Sequence, residues 1–302
     1  MRLLISIAIF SMALAQVDTT SVDTKKKRKK SRLNLNVGGL IPEKMHGDER
    51  ANSLAPHQIE EIQRKARDFQ SPDATSNDIV IIKTSKGQMK LKLFTDVAPN
   101  HCNNFKKLAN SGFYDGTLFH RIIPGFMIQG GDILTRDSKK NNDGQGGPGW
   151  TIDAEFSKLK HKRGTLSMAR SQDPNSAGSQ FFICVGDTPW LDGKYTIFGE
   201  VIEGDYLIDR IVNSSTDYSI TKAKAVDRIP SNDSGEWVEI GDPKSRRMLY
   251  FKVPEGMDRN TFEYETKMLI RSDSPIAPIE ILSIVVVDKI DLLMDPVITI
   301  PK

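Results

Sequence analysis

Phe119-His120-Arg121-Ile122-Ile123-Pro124-Gly125-Phe126-Met127-Ile128-Gln129-Gly130-Gly131 consists of short apolar runs broken by glycine, with an arginine and a glutamine among aromatic and aliphatic neighbours. Alternate residues of a strand share a face. Phe126, Ile128 and Gly130 are therefore expected on one face, and Met127, Gln129 and Gly131 on the other. An ordinary barrel interior would leave Arg121 and Gln129 buried and unpaired, which is costly. An apolar pocket with a few directed donors, the usual form of a ligand site, suits them better.

Two further segments share this texture. The first runs from Leu166-Ser167-Met168-Ala169-Arg170-Ser171 to Asn175-Ser176-Ala177-Gly178-Ser179-Gln180-Phe181-Phe182-Ile183, where Gln180 and Phe182 share a face. The second is Pro189-Trp190-Leu191-Asp192-Gly193-Lys194-Tyr195-Thr196-Ile197-Phe198-Gly199. Around them, 79–84 and 89–94 read as a hairpin whose second strand alternates apolar and basic residues. Strands are expected at 117–122, 126–129, 164–169, 180–185 and 196–201. Such spacing suggests a mainly β fold, a closed β-barrel. Helices are read at 98–110 and 205–212, and another over 56–70, with Ile59, Ile62, Ala66 and Phe69 on one side.

The chemistry these segments lack narrows the function. His46, His57, His101, His120 and His161 are scattered, with neither HExxH nor CxxC, so no metal site is expected. GxSxG, phosphate-loop and dinucleotide motifs are absent, which disfavours conventional hydrolase or kinase chemistry. Gly144-Gln145-Gly146-Gly147-Pro148-Gly149 does not lie between a strand and a helix and reads as a surface loop near a groove. The two cysteines, Cys102 and Cys184, make no disulfide framework. Whether they pair is left open, and Cys184 reads as a small buried hydrophobe.

The three segments closely resemble the cyclophilin family of peptidyl-prolyl cis/trans isomerases, in register over roughly 78–213 with a further piece near 275–288. The resemblance implies a closed eight-stranded antiparallel barrel capped by two helices, a proline-binding groove on its outer face, and X-Pro isomerase activity without metal or cofactor. By position, Arg121 matches the catalytic arginine. Phe126, Met127 and Phe182 match the proline pocket, with Leu191 at its wall, and Gln129 and Gln180 match the amides that fix the peptide. His120, Gly144, Ala169, Arg170, Ser171, Trp190, Lys194 and Tyr195 match positions lining the groove. The expected partners are proline-containing peptides and unfolded proteins, and the retained Trp190 favours cyclosporin binding. Three departures bear on substrate preference. Arg170-Ser171 stands where many members have Asn-Ala, the loop Gln172-Asp173-Pro174 is longer, and Tyr195 replaces a frequent histidine. A non-catalytic module or chaperone holding Pro-containing segments in the same groove is the alternative.

Outside this region the chain is polarised. Its net charge is +3, but residues 1–32 hold eight basic and two acidic residues, and without them the net is −3. Nucleic-acid binding by the main domain gains no support from charge. Arg2 followed by the apolar stretch Leu3–Leu14, with Ala13-Leu14-Ala15 before Gln16, reads as a signal peptide over 1–15. The secretory pathway or the extracellular space is therefore expected, with no membrane span and a monomer. Residues 16–55 read as a disordered basic arm. Asn213-Ser214-Ser215 and Asn232-Asp233-Ser234 are sequons, so Asn213 and Asn232 are candidate glycosylation sites. Met248–Val253 and Phe262–Ile270 read as a hairpin within an insert over roughly 214–272. Pro275–Val287 reads as the closing strand, its rival being Trp237–Ile240, and 289–302 reads as a tail.

Overall fold

In the computed structural model, which describes residues 53–294, the first hairpin forms as β1 (Asp78–Thr84) and β2 (Gly87–Leu93). Val80, Ile82, Met89, Leu91 and Leu93 join the core. Lys90 and Lys92, on the other face of β2, pair with Glu203 and Glu200 at 2.8 and 2.7 Å. The leader read at 1–15, the arm up to residue 52 and the tail beyond 294 lie outside the described residues.

Helix α1 (Pro56–Asp68) begins with a proline in its first turn, where no N–H is needed, and buries Ile59 and Ala66 in the main core. Helix α2 (Pro99–Asn110) starts the same way and buries Cys102, Phe105, Leu108 and Ala109. Phe105 meets Tyr114 and Phe181 with ring centroids 5.3 and 5.5 Å apart. Burying such a ring contributes roughly 1.5–3 kcal/mol. Both cysteines are free and buried, and burial pushes the Cys102 thiol up to about 12 and that of Cys184 to about 11. Cys184 thus behaves as the buried hydrophobe its surroundings suggested.

The strands that follow are β3 (Thr117–Leu118), β4 (Arg121–Ile123), β5 (Met127–Gly130), β6 (Thr165–Met168), β7 (Phe181–Cys184) and β8 (Ile197–Glu203). Helix α3 (Tyr206–Val212) buries Leu207, Ile208, Ile211 and Val212. Beyond it come α4 (Asp217–Ala223), β9 (Trp237–Gly241), β10 (Met248–Lys252), α5 (Arg259–Leu269), β11 (Glu280–Asp288) and α6 (Lys289–Met294).

The main sheet is antiparallel, curled, and ordered β3-β11-β1-β2-β8-β6-β7-β5-β4. It has nine strands rather than the expected eight, because the run read as one strand at 117–122 divides. Thr117 and Leu118 pair with Ile281 and Glu280 of β11, whereas Arg121–Ile123 pairs with β5. The two ends of the strand order are therefore neighbours in the chain, separated by Phe119-His120. Helices α2 and α3 pack against strands of the sheet, and the described residues contain six α-helices where the resemblance implied two.

It is β11 that lies against β1, with Ile79 opposite Val287 and Ile82 opposite Ile284. Trp237–Ile240 forms β9, which pairs with β10 in a separate two-stranded sheet. The hairpin read between Met248–Val253 and Phe262–Ile270 does not form, since 259–269 is helix α5. Asp258 caps that helix, accepting from Thr261 N at 2.9 Å, and Phe262, Thr266 and Ile270 recur at helical spacing towards a second small core. Val238, Ile240, Leu249, Phe251 and Val253 complete this core. Strand propensity in 262–270 is overridden by the cap and by the four-residue spacing of Phe262, Thr266 and Ile270.

Candidate functional site

Register decides which side chains share the outer face. Directly paired residues of an antiparallel sheet project to the same side. Arg121 pairs with Gln129, Gln129 with Phe182, and Phe182 with Ser167, giving one row across β4, β5, β7 and β6. Ile123, Met127 and Cys184 form a parallel row two residues away. At about 4.8 Å per strand, Arg121 and Phe182 stand about 10 Å apart. The intervening residues Ile122, Ile128, Ile183 and Leu166 face the main core.

Met127, Phe182, Cys184 and Leu191 form a buried apolar floor, with Ile123, Phe126, Ala169 and Tyr195 packed against it. Phe126 corrects the alternation argument, which placed it with Ile128. It precedes β5, after a turn in which Gly125 takes φ +73°, so strand periodicity does not reach it. Its ring approaches that of Trp190 at 5.8 Å, and Trp190 is 45% exposed. The Arg121 guanidinium is half-exposed, and its Nε lies 3.9 Å from Asp273 Oδ2. Partial desolvation lowers its pKa, opposed by the Asp273 carboxylate, and an arginine so perturbed remains charged.

The two glutamines form a relay. Gln129 Nε2 donates to Gln180 Oε1 at 3.0 Å, and Gln180 Nε2 donates to the carbonyls of Gly144 and Gly146 at 3.0 and 2.8 Å. The glycine loop is held by Asp132, a fully buried carboxylate that sequence reasoning missed. Asp132 accepts from Leu134 N at 2.7 Å and from Gly144 N, and the N–H groups of Gln145 and Gly146 also turn to it. Burial raises its pKa and these N–H groups pull it back. A Cβ on Gly146 would overlap the Asp132 carboxylate and Leu134, so glycine is required there. Gln63 of α1 supports the loop from outside, donating to Gly147 O at 2.7 Å. His120 is buried beside the Gly144 α-carbon.

The rim is built by the departing residues. The Arg170 guanidinium lies 4.5 Å from the centroid of the Tyr195 ring and donates to the carbonyls of Ser171, Gln172 and Lys194. Ser171 Oγ donates to Ser176 Oγ at 2.7 Å, and Lys194 Nζ donates to Trp190 O at 3.0 Å. Arg170 and Tyr195 are thus committed to each other, a stacked pair in which lysine would be a poor replacement for arginine.

Behind Phe182 lies a second group the sequence did not reveal. The His161 ring stacks on Phe182 at 6.1 Å and 11°. Its Nδ1 is 3.1 Å from Asp192 Oδ1 and its Nε2 is 3.0 Å from Ser167 Oγ. The arrangement resembles a nucleophilic triad in outline only. Ser167 is fully buried and its hydroxyl also donates to Thr196 O at 3.0 Å, so no substrate reaches it. The group supports the groove floor. Residue type alone could not have found it, because the three positions lie on different elements.

Burial holds the pKa of His161, and that of His101, below the ordinary imidazole value, with Asp192 and Glu155 respectively opposing. Both rings therefore take up protons more readily when unfolded than when folded. Their stabilising contribution is full above the unfolded value, about 6.5, and is lost as pH falls through the folded values. Thermal melts are therefore expected to show a lower Tm at pH 5 than at pH 7.5. His161→Gln should reduce that difference, and an unchanged pH dependence in the variant would contradict the assignment.

The description "cyclophilin type peptidyl-prolyl cis-trans isomerase/CLD" belongs to a family model that matches residues 79–231. A probable peptidyl-prolyl cis-trans isomerase of Brucella suis is 46% identical over 147 residues, covering 47% of this chain and 75% of that relative. The peptidyl-prolyl cis-trans isomerase-like 1 of Gibberella zeae is 43% identical over 155 residues, covering 49% of this chain and 91% of that relative. A crystal structure of a Cryptosporidium parvum cyclophilin type peptidyl-prolyl cis-trans isomerase is 30% identical, covers 70% of this chain and 97% of its own, and superposes with a TM-score of 0.48. The matched span includes Arg121, both glutamines and the whole apolar floor, and the chain belongs to the cyclophilin-type peptidyl-prolyl cis-trans isomerases.

Proposed function

We propose that the row Arg121–Gln129–Phe182 is where this isomerase turns X-Pro bonds. The observation that carries the reading is the register that sets a half-exposed guanidinium, a hydrogen-bonded amide and a buried aromatic side by side on one face. Amide resonance opposes rotation with a barrier of roughly 18–20 kcal/mol. In the twisted state the resonance is lost and the proline nitrogen becomes a better acceptor. A guanidinium that donates to it there, more than to the planar imide, stabilises the transition state selectively. Phe126, Met127, Phe182 and Leu191 hold the proline ring while the preceding carbonyl swings. Gln129, kept in place by Gln180, holds the peptide backbone. No bond is broken, so neither nucleophile nor general base takes part.

The substrate class is proline-containing peptides and unfolded chains, with the Arg170–Tyr195 stack shaping preference at the rim. Exposed Trp190 beside Phe126 favours cyclosporin as a groove ligand. The curled sheet is read as the closed barrel of the family, its two end strands being two halves of one run. Residues 214–272 are read as an insert ahead of the last strand. Export through the secretory route is the reading that the leader-like 1–15 supports, and the exposed sequon residues Asn213 and Asn232 suit glycosylation there.

The test is NMR titration with an Ala-Pro-containing tetrapeptide. Shifts are expected at Arg121, Gln129, Phe182 and the Trp190 indole, together with accelerated cis/trans exchange of the peptide. Shifts centred on β9 and β10 instead would show that the groove is misassigned.

A further inference from the structure

The chain returns from α5 to β11 along the edge of β4. Ile122 N donates to Asp273 O at 3.0 Å, so the backbone of Asp273 caps the sheet edge directly beside Arg121. The Asp273 side chain is 11% exposed and stands between two cations. Its Oδ2 is 3.9 Å from Arg121 Nε and its Oδ1 is 2.5 Å from Lys244 Nζ. Among the described residues it is the ion-pair partner of Arg121.

What holds this carboxylate is independent of Arg121. Tyr218 N donates to Ser272 O at 2.9 Å, Asp217 N to Ser274 O at 3.1 Å, and Ser272 Oγ to Asp217 Oδ2 at 2.8 Å. Lys244 lies between β9 and β10. Its N–H donates to Asp242 Oδ1 at 2.9 Å, and its ammonium sits 3.7 Å from the centroid of the Tyr218 ring. The second small core therefore sets Lys244, Lys244 and the backbone set Asp273, and Asp273 faces the guanidinium.

We propose that Asp273 is a positioning residue for Arg121, and that Lys244, sharing the same carboxylate, couples Arg121 to the β9–β10 unit. The proposal rests on reading Arg121 as the catalytic group. A half-exposed arginine has many rotamers, and rate depends on its donors being aimed at the proline nitrogen before rotation begins. A fixed carboxylate on the Nε side restrains the guanidinium and leaves its Nη groups for the substrate. Contact at 3.9 Å is loose enough to restrain without sequestering.

Asp273→Asn keeps the backbone acceptor and the side-chain shape but removes the charge. It is to be compared with the intact chain and with Arg121→Ala, by X-Pro isomerisation kinetics, thermal melting and the NMR order parameter of the Arg121 Nε–Hε group. In Asp273→Asn the expected result is a fall of about fivefold in kcat with little change in KM, a modestly lower Tm from loss of the Lys244 ion pair, and a lower order parameter for Arg121. Wild-type kcat would overturn the proposal, as would a fall in kcat with Arg121 as ordered as before. If Arg121→Ala instead keeps full activity while Asp273→Asn still loosens Arg121, it is the catalytic assignment of Arg121 that fails, and the restraint stands.

Discussion

Arg121→Ala is expected to lower kcat/KM for X-Pro isomerisation by about a hundredfold or more while leaving the fold intact. Loss of one preorganised donor at a developing acceptor costs roughly 10²–10³ in rate elsewhere in enzymology, and here the donor has no substitute in its row. Gln129, the next residue across, is an amide committed to Gln180 at 3.0 Å. Stability should hardly change. The guanidinium is half-exposed and its ion pair with Asp273 is long at 3.9 Å, and substitutions at such sites usually stay within about 0.5 kcal/mol. The catalytic loss should appear in kcat, since the apolar floor that binds the proline ring is untouched. Arg121→Lys should recover little, because a point charge on a flexible stem lacks the planar fork. A protease-coupled assay of an X-Pro peptide, run beside thermal melts of both variants, measures this. Full activity in Arg121→Ala would remove the mechanism proposed for the groove.

Asp132→Ala is expected to be the most damaging single change outside the groove floor. It would leave the N–H groups of Leu134 and Gly144 without their buried acceptor, and those of Gln145 and Gly146 without a nearby carboxylate. Each buried donor left unsatisfied costs about 1–3 kcal/mol, so a loss of about 3 kcal/mol is the reasonable scale after the loop relaxes. Relaxation is also what harms function. Gly144 and Gly146 present the carbonyls that hold Gln180, which holds Gln129. Once that chain slackens, kcat/KM should fall about tenfold. Urea denaturation reads the first effect, and faster amide exchange at Gly144 and Gln145 reads its location. Asp132→Asn, which keeps one acceptor oxygen, should show a smaller loss of both kinds. Amide exchange as slow as in the intact chain would rule out this support role.

Much of the site was legible because its residues fall in short contiguous runs. Arg121, Phe126, Met127 and Gln129 lie within one stretch, as do Gln180 and Phe182, and strand alternation is enough to put Gln129 with Met127. What escaped was whatever depended on partners distant in the chain. Asp132 acts on Gly144 through a loop. Ser167 and Asp192 meet at His161 because three different elements converge there. Asp273 reaches Arg121 across more of the chain still. No periodicity marks such residues, since each is an unremarkable polar residue until the fold supplies its neighbour.

The hairpin of β1 and β2, helices α1 to α3 and the run of core strands follow from local pattern, because period and turn residues act over a few positions and burial only has to agree with them. Tertiary structure decided the rest. The run from Thr117 to Ile122 split because two sheet edges competed for it, each offering its own backbone partners. Residues 262–270 became helical because Asp258 satisfies the first-turn amides and the second small core takes one helical face. Phe126 left its predicted face because the turn at Gly125 resets the alternation just before β5 begins. Backbone hydrogen bonds must be satisfied somewhere, and where two partners can satisfy them the choice is made by long-range packing that no short window contains.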